Sequence, residues 1–257
     1  MGGQLPRRDS FIIFFSMNRS HAGSVRRGRS KAGLLAGVAS LLMVACSGPQ
    51  SSHNGLVAID PGHPSETSQG ASGPAGATEI QVNWAVALKL RTLLEAQGYD
   101  VVLTKLVEEE LVTNRHRAEI GNTRGADVMV RLHCDAGDHR GTATFYPDRQ
   151  GERWGVTGPR PEVIDGSAAF ANVFHPAMIE ALGADWPDLG IKGDSKTYVG
   201  GQQGALTGSI FSEIPVVTVE MVVITQPEDE AFIASEAGQD RMAAAIAAGV
   251  EAYFTSR

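Results

Sequence analysis

The sequence predicts an α/β fold, a three-layer sandwich in which helices cover both faces of a largely parallel sheet. Short apolar runs, typical of buried strands, alternate along the chain with longer amphipathic stretches, typical of helices. Strands this apolar belong in a parallel sheet that is buried on both faces. The chain has 257 residues, 42% of them hydrophobic, which is enough to bury a substantial core.

The predicted strands and helices follow one another through most of the chain. Strands are predicted at Leu56–Asp60, Asp100–Thr104, Asp127–His133, Thr142–Tyr146 and Val216–Met221. Helices are predicted at Glu79–Gln97, Val112–Thr123, Ser167–Leu182 and Glu228–Phe254. The remaining long stretches, Pro147–Gly166 and Gly183–Glu213, are rich in Gly, Pro and polar residues. We expect them to be loops that border a cleft, and not a second domain.

Residues 1–46 have the pattern of an export signal. An uncharged stretch, AGLLAGVASLLMVA, ends at Cys46 and follows a cluster of basic residues: Arg26, Arg27, Arg29 and Lys31. A basic head, a short apolar core and small residues before a cleavage point are typical of such signals. The letters MVAC resemble a lipobox, at which a bacterial lipoprotein is cleaved and lipidated on its cysteine. A plain secretory signal and an N-terminal buried helix are the alternatives.

This signal divides the chain into three parts. We expect residues 1–46 to be a signal or lipoprotein leader, residues 47–54 a polar tether, and residues 55–257 the catalytic domain. The protein would then be exported to the cell envelope and anchored to a membrane through a lipid on Cys46. Met17 is an alternative start, because an ordinary leader begins there.

Charge and cysteine content exclude two classes of protein. The segment before Cys46 carries seven of the 22 basic residues and one of the 29 acidic residues, so the remainder has 15 basic and 28 acidic residues. An acidic balance of this size argues against nucleic-acid binding. Cys46 and Cys134 are the only cysteines. If Cys46 carries a lipid, Cys134 has no partner in the chain, and a disulfide framework is excluded.

Four ionisable side chains are predicted to meet at one edge of the sheet. His63 follows the first strand, His133 ends the third, and Glu220 lies near the end of the last. Glu79 begins the first helix, on the side that faces the sheet. In an α/β sheet, ligands bind outside the carboxyl ends of the strands, where helix N-termini also point. The four side chains therefore form a candidate site.

Each of these residues also has an ordinary structural explanation. A histidine at a strand end is often only hydrogen-bonded, and a glutamate in the first turn of a helix favours the helix dipole. Together, however, two imidazoles and one carboxylate are a usual ligand set for catalytic zinc, with a fourth position for water. The remaining carboxylate can then take a proton from that water. The chain has no HExxH motif, so the common zinc-peptidase helix is excluded.

Five stretches of sequence carry a family resemblance. They are VAIDPGH, GATEIQVNWAVALKLRTLLEAQGYDVVLTK, RHRAEIGNTRGADVMVRLHCDA, IPVVTVE and PEDEAFI. In this order they resemble the zinc-dependent N-acetylmuramoyl-L-alanine amidases of the amidase-3 type, from Leu56 almost to the C-terminus. The resemblance implies a twisted six-stranded sheet between helices. It also implies a peptidoglycan hydrolase that uses zinc-activated water to cleave the amide between N-acetylmuramic acid and L-alanine.

The resemblance assigns a role to each candidate residue. His63, Glu79 and His133 occupy the positions of the zinc ligands, and Glu220 that of the catalytic glutamate. Arg117 and Asn122 match the usual arginine and asparagine before the third strand. Asp60 is expected to steady His63 or its loop. Whether an activator protein is needed stays open.

Some positions depart from the family pattern. Pro64, Ser65 and Glu66 follow His63 where the family usually has glycines, which predicts a stiffer loop. Arg131 stands where a small residue is common. Cys134 follows His133 directly, and strand alternation predicts a packed, inert thiol rather than an extra ligand. The segment MVVITQ stands after Glu220 in place of the usual small residue, Gly-Phe and Asn, which leaves the shape of the substrate-facing surface open more than the chemistry. Two other functions stay open, a catalytically impaired cell-wall binding or regulatory protein and a zinc peptidase that acts on another amide.

Overall fold

A computed structural model describes residues 54–257. The predicted leader 1–46, with the predicted lipidation site Cys46, and all but the last residue of the predicted tether 47–54 lie outside the described residues. Eight strands are present: β1 (Leu56–Pro61), β2 (Asp100–Leu103), β3 (Val128–Asp135), β4 (Thr142–Tyr146), β5 (Gly151–Arg153), β6 (Val156–Gly158), β7 (Asp188–Gly193) and β8 (Val216–Val223). The α-helices are α1 (Glu79–Ala96), α2 (Asn114–Arg124), α3 (Pro161–Leu182), α4 (Tyr198–Gln203), α5 (Thr207–Ile210), α6 (Pro227–Ala234) and α7 (Glu236–Thr255).

The main sheet has six strands in the order β2-β1-β3-β8-β4-β7. Strands β2, β1, β3 and β8 are mutually parallel, whereas β4 runs antiparallel to β8 and pairs in parallel with β7. The prediction of a largely parallel, six-stranded sheet is confirmed, with one antiparallel junction. Strands β5 and β6 form a separate antiparallel hairpin.

Helices cover both faces of the sheet, but unequally. Helices α1, α3 and α7 enclose the main core on one face, which includes Val57, Val130 and Val219. The other face carries a small apolar cluster: Ala58, Ala126, Met129 and Val216. The short helix α2 lies on this second side, because a Cβ on its Gly121 would contact Met129 and Ala58. The three-layer prediction is confirmed.

The second face changes from apolar to polar along its strands. Every second side chain of a strand projects to the same face. On this face Ala58 of β1 is followed by Asp60, and Met129 of β3 is followed by Arg131 and His133. Val216 of β8 is followed in the same way by Thr218 and Glu220. The carboxyl half of this face is therefore polar, and it lies where parallel strands bind ligands.

The two stretches predicted to be loops contain more structure than expected. Residues 147–166 include the hairpin β5–β6 and the start of α3, which begins at Pro161 instead of Ser167. Residues 183–213 include α4, α5 and β7, and β7 is one of the six strands of the main sheet. Strand β7 lies at the sheet edge and contains Gly190 at a φ of +78°. An edge strand of this composition lacks the apolar run on which the strand predictions depended.

The predicted helix Glu228–Phe254 is two helices. Helix α6 ends at Ala234, and the side chain of Ser235 then accepts a hydrogen bond from the Gly238 amide at the start of α7. Ser235 is a typical N-cap, which competes with helix continuation. None of the helices within residues 54–257 combines the length and the apolar character needed to cross a membrane.

Candidate metal and catalytic site

His63 lies in the turn that follows β1, and its backbone has a φ of +59°. Few residues other than glycine adopt this left-handed conformation, which persists only where the surroundings enforce it. The main-chain oxygen of His63 accepts a hydrogen bond of 2.6 Å from Lys105 Nζ. Its Nδ1 lies 3.2 Å from the carbonyl oxygen of Ser68. A donor role for Nδ1 leaves Nε2 as the nitrogen with a free lone pair, and this is the form that binds a metal.

Gly62 permits the close approach of the second histidine. A Cβ at this position would lie 2.4 Å from Cε1 of His133, on the edge of the imidazole ring. The Gly62 amide also donates a 2.9 Å hydrogen bond to the Leu132 carbonyl oxygen, which fixes the turn after β1 against β3. The glycine of the PGH motif is therefore needed for packing between the two histidines.

Glu79 is the first residue of α1 and reaches both histidines. The side chain of Thr78 caps the helix, and the Glu79 oxygen Oε1 lies 3.3 Å from His63 Nε2 and 3.1 Å from His133 Nδ1. The same oxygen accepts a 3.0 Å hydrogen bond from the Cys134 amide. Burial acts to raise the pKa of Glu79, but the hydrogen bonds from His133 and His63 outweigh it, so the pKa is held well below its usual value.

His63, Glu79 and His133 could together hold a metal ion. Each offers one ligand atom, and these atoms lie within 4.8 Å of one another. Burial lowers the pKa of His133, partly opposed by Glu79, so the ring favours the neutral form that coordinates metals. Two imidazole nitrogens and a carboxylate oxygen match zinc better than magnesium or calcium, which prefer oxygen ligands alone.

Glu220 lies beside this cluster on the neighbouring strand, where its Cα is the register partner of His133. Its Oε2 atom is buried and has no hydrogen-bond partner in the described part of the chain. Burial raises the pKa of Glu220 well above its usual value, and Glu79 and Asp135 act in the same direction, with Arg131 opposing them. A carboxylate in this position can accept a proton and, once protonated, return it.

A buried ion-pair network supports the turn that carries His63. Asp60 is fully buried and accepts hydrogen bonds from Arg117 Nη1 at 2.7 Å and from Arg131 Nε at 2.8 Å. Arg117 also donates to the carbonyl oxygens of Pro61 and Pro64, on either side of the histidine. Asp60 therefore acts on the loop of His63 through Arg117, and no contact with the imidazole itself is needed.

The other residues singled out in the sequence have identifiable contacts. The amide of Asn122 holds the segment before β8, with Nδ2 2.9 Å from the Phe211 carbonyl oxygen and Oδ1 2.9 Å from the Glu213 amide. Cys134 is buried in the main core, on the face opposite His133. Burial raises the pKa of the Cys134 thiol well above its usual value. The prediction of a packed thiol agrees with this position.

The segment that departs from the family pattern after Glu220 begins with buried residues. Met221, Val222, Val223 and Ile224 are fully buried, so this part of the segment fills the core. These four side chains therefore do not form an exposed surface. In the loop after His63, the carboxylate of Glu66 accepts a 2.8 Å hydrogen bond from the Asn114 amide, which connects the loop to the start of α2.

A cavity of about 390 Å³ opens beside the histidines. Its floor is formed by His63, His133, Glu220 and the polar residues before them on β3 and β8. Helix α4 and the residues up to Thr207 form another side, and Arg153 of the hairpin closes a third. The stretches predicted to be loops do border the cleft.

Sequence reasoning missed several residues of this site. Asn83 is fully buried one helical turn after Glu79, and its Nδ2 donates a 3.2 Å hydrogen bond to the Gly62 carbonyl oxygen. A polar residue on the sheet-facing side of α1 is unusual, and this could have identified Asn83 as part of the site. Arg153 was not predicted at the cavity, because the stretch that contains its hairpin is predicted to be a loop.

Comparison with known proteins identifies the family. Residues 57–252 match the family described as N-acetylmuramoyl-L-alanine amidase, over most of the chain. The chain belongs to this family. AmiA of Escherichia coli, an N-acetylmuramoyl-L-alanine amidase, is 27% identical over 223 residues, which cover 77% of this chain and 76% of AmiA.

Solved structures of other amidases share the fold. The amidase AmiC2 of Nostoc punctiforme superposes with a TM-score of 0.64 at 25% identity, over 80% of this chain and 99% of that chain. The amidase Ami1 of Mycobacterium smegmatis gives a TM-score of 0.67 at 21% identity, over 80% and 99% of the two chains. The six-stranded sheet described above is therefore the sheet of this amidase family.

Proposed function

We propose that this protein is a zinc-dependent N-acetylmuramoyl-L-alanine amidase that hydrolyses peptidoglycan. The observation that carries the proposal is the convergence of His63, Glu79 and His133 beside Glu220, in a domain of the amidase family. The two histidines and Glu79 would hold the zinc ion, and Glu220 would be the catalytic residue. The scissile bond is the amide between the lactyl group of N-acetylmuramic acid and L-alanine.

The chemistry assigned to the chain is proton transfer by one carboxylate. Zinc, when bound, lowers the pKa of water and polarises the carbonyl of the scissile amide. Glu220 accepts the proton of the attacking water and then returns it to the departing amine of L-alanine. General base and general acid are thus one residue, and burial, which raises the pKa of Glu220, helps it to hold the proton between the two steps.

The remaining residues of the site hold the proposed metal ligands in place. Asp60 and Arg117 hold the turn of His63, and Gly62 lets the two histidines approach. Fixed ligands place the reacting groups before the substrate arrives, which is how an active site lowers the cost of orientation. The Oε2 atom of Glu220 is buried and has no hydrogen-bond partner within residues 54–257, so it is free to hold a proton.

Mass spectrometry of muropeptides tests the activity. The full chain, solubilised in a mild detergent and loaded with zinc, is incubated with peptidoglycan. The proposal expects intact stem peptides that begin with a free L-alanine amine. A chelator should abolish their release and added zinc should restore it. Zinc-loaded protein that releases no such peptide would contradict the amidase assignment and favour a cell-wall binding protein. Cleavage within the stem peptide would favour a zinc peptidase.

We also propose that the protein is exported and lipid-anchored through Cys46. The basic and apolar residues before MVAC support this, and relatives of the family act on N-acetylmuramoyl-L-alanine amides, which belong to the cell wall. The CwlD amidase of Clostridioides difficile, which shares the fold at a TM-score of 0.56 and 21% identity, was solved in complex with the GerS lipoprotein. We therefore keep an activator or partner protein as part of the proposal.

The anchor can be tested separately from the activity. Protein made in a bacterial host is extracted with detergent, and the mass of the peptide that begins at Cys46 is measured. A mass increase equal to a lipid, lost in a Cys46→Ala variant and kept in a Cys134→Ala control, is expected. An unmodified chain cleaved elsewhere in residues 1–54 would point to a plain secretory signal.

A further inference from the structure

Two arginines that the proposed mechanism does not use line the cavity beside Glu220. Arg131 comes from β3, two residues before His133, and Arg153 comes from β5 of the hairpin. The domain that carries them has far more acidic than basic residues, so two arginines in one small cavity do not follow from its composition. Their surroundings indicate a ligand of opposite charge.

The guanidinium of Arg131 is held rigidly at the cavity wall. Its Nε donates to Asp60 at 2.8 Å, and its Nη2 donates to Asn114 Oδ1 at 2.8 Å. Asp60 is shared, because it also accepts a hydrogen bond from Arg117. One carboxylate therefore faces two guanidinium groups. The buried carboxylate of Asp194 also interacts with Arg131 but is not among the residues that line the cavity.

Gly208 shows how closely α5 approaches this guanidinium. A Cβ on Gly208 would lie 2.5 Å from Arg131 Nη1 and 2.6 Å from its Cζ. The helix can cover Arg131 only because this residue has no side chain. The guanidinium of Arg131 is thus a fixed positive charge at the cavity wall, which can attract a carboxylate with little loss of side-chain entropy on binding.

Arg153 and Thr218 line the same cavity, and each has a buried polar atom without a hydrogen-bond partner in the described part of the chain. Nε of Arg153 is buried and has no hydrogen-bond partner in the described chain, and its guanidinium carbon lies 4.9 Å from the ring centre of Trp154. Thr218 is the register partner of Arg131, is 2% exposed, and has an Oγ1 without a partner in residues 54–257. Buried polar groups left without partners indicate a missing ligand or water.

We propose that Arg131, Arg153 and Thr218 form a subsite for a free carboxylate of the stem peptide. This inference rests on the proposed amidase function. Arg131 lies about 7 Å along β3 from His133, on the same face, so the subsite serves a group close to the scissile amide. The residue after L-alanine in a stem peptide is joined through its side-chain carboxyl, which leaves its main-chain carboxyl as a carboxylate or, after amidation, a carboxamide. The subsite selects the carboxylate.

The test compares two muropeptides that differ only at this group. Zinc-loaded full-length protein hydrolyses two N-acetylmuramoyl tripeptides in which the D-glutamate after L-alanine is joined to the next residue through its side-chain carboxyl. Its main-chain carboxyl is a carboxylate in one and a carboxamide in the other, and kcat/KM is measured for both. We expect the carboxylate substrate to be preferred about tenfold or more, the loss expected when one charge-assisted hydrogen bond is weakened. In Arg153→Gln the preference should fall to about twofold or less, mainly through loss of activity on the carboxylate substrate.

Two further variants make the test specific. Arg160→Gln is the matched control, since it removes the same charge from an exposed side chain outside the cavity, and it should keep the preference. Arg131→Lys keeps the charge but loses the hydrogen bonds to Asp60 and Asn114 that fix its position. It should also reduce the preference, and its unfolding temperature is measured alongside. If wild type hydrolyses both substrates equally, or if Arg153→Gln slows both by the same factor, the subsite is refuted while the amidase function stands. If neither substrate is cleaved, the proposed function itself fails.

Discussion

His133 and Glu220 are register partners on the adjacent parallel strands β3 and β8. Neighbouring strands lie about 4.8 Å apart, and partners in register project to the same face. The same register continues back through buried pairs such as Met129 with Val216 and Val130 with Val217. A slip of one residue would move all these apolar side chains to the wrong face. The spacing of the proposed metal ligand and the proposed catalytic glutamate is therefore fixed by the packing of the core.

Gly62, in the turn just before His63, should not tolerate an added methyl group. In Gly62→Ala the new Cβ would overlap the His133 ring, so the imidazole must move away from Glu79. We expect loss of most bound zinc, measured by elemental analysis of the purified protein. Gly201→Ala is a suitable control, because its Cβ would lie 3.5 Å from the Ser195 carbonyl oxygen, an ordinary contact. A Gly62→Ala protein with full zinc content would contradict the packing argument.

Asp60 should contribute strongly to stability above about pH 4. Burial acts to raise its pKa, but Arg117 and Arg131 hold the pKa well below the usual 3.8. Removing one partner of a buried ion pair leaves uncompensated charge, so Asp60→Asn should lower the free energy of unfolding by about 3–5 kcal/mol at pH 7. Denaturant titration measures this change, and Asp138→Asn, at a fully exposed side chain, should shift it by less than about 0.5 kcal/mol.

The effect of Asp60 should depend on pH with a defined sign. A carboxylate whose pKa is lower in the folded state stabilises the protein above its unfolded pKa, and this contribution is lost as the pH falls through the folded pKa. The difference in unfolding free energy between wild type and Asp60→Asn should therefore narrow as the pH falls below 3.8. A constant difference between pH 7 and about pH 3 would mean that Asp60 stabilises the fold other than through its charge.

Cys134 should be dispensable for metal binding. Its side chain lies on the core face of β3, and burial raises the thiol pKa well above its usual value. We expect Cys134→Ala to keep its zinc and to lose about 1 kcal/mol of stability through the small cavity left behind. Elemental analysis and thermal unfolding check the two expectations. Loss of zinc would instead identify the thiol as an additional ligand.

The candidate site could be predicted from the sequence because each of its residues lies at or near the end of a strand or the start of a helix. His63, His133 and Glu220 lie at or near the carboxyl ends of apolar strands, and Glu79 lies at the start of an amphipathic helix. In an α/β sheet these boundaries meet at one edge. The structure brings the two histidines and Glu79 together within 4.8 Å and places Glu220 beside His133.

Features that depend on tertiary contacts were not predicted. Strand β7 has no apolar run and is defined by its pairing with β4 at the sheet edge. The hairpin that carries Arg153 lies outside the main sheet, so its sequence shows no burial pattern. The break between α6 and α7 depends on one capping serine in an otherwise helical stretch. Arg131 stands where the family commonly has a small residue, and only its hydrogen bonds to Asp60 and Asn114 show how its side chain is held.

Glu79 should be required for zinc binding and not only for a favourable interaction with the helix dipole. In Glu79→Ala the oxygen shared by His63, His133 and the Cys134 amide is lost. We expect zinc to be lost and hydrolysis to fall to background, because metal binding needs the full ligand set. Glu95→Ala, at an exposed position of the same helix, should keep both. A zinc-replete, active Glu79→Ala protein would remove Glu79 from the ligand set.

The most direct test of the account is zinc content and amide hydrolysis measured side by side for Glu220→Gln in the full-length protein. The substitution keeps the shape of the side chain but removes its ability to carry a proton between water and amine. The account predicts zinc content equal to wild type and a fall in kcat of about 10²–10⁴-fold. A zinc-loaded Glu220→Gln protein with wild-type turnover would contradict the role given to Glu220, and with it the proposed mechanism.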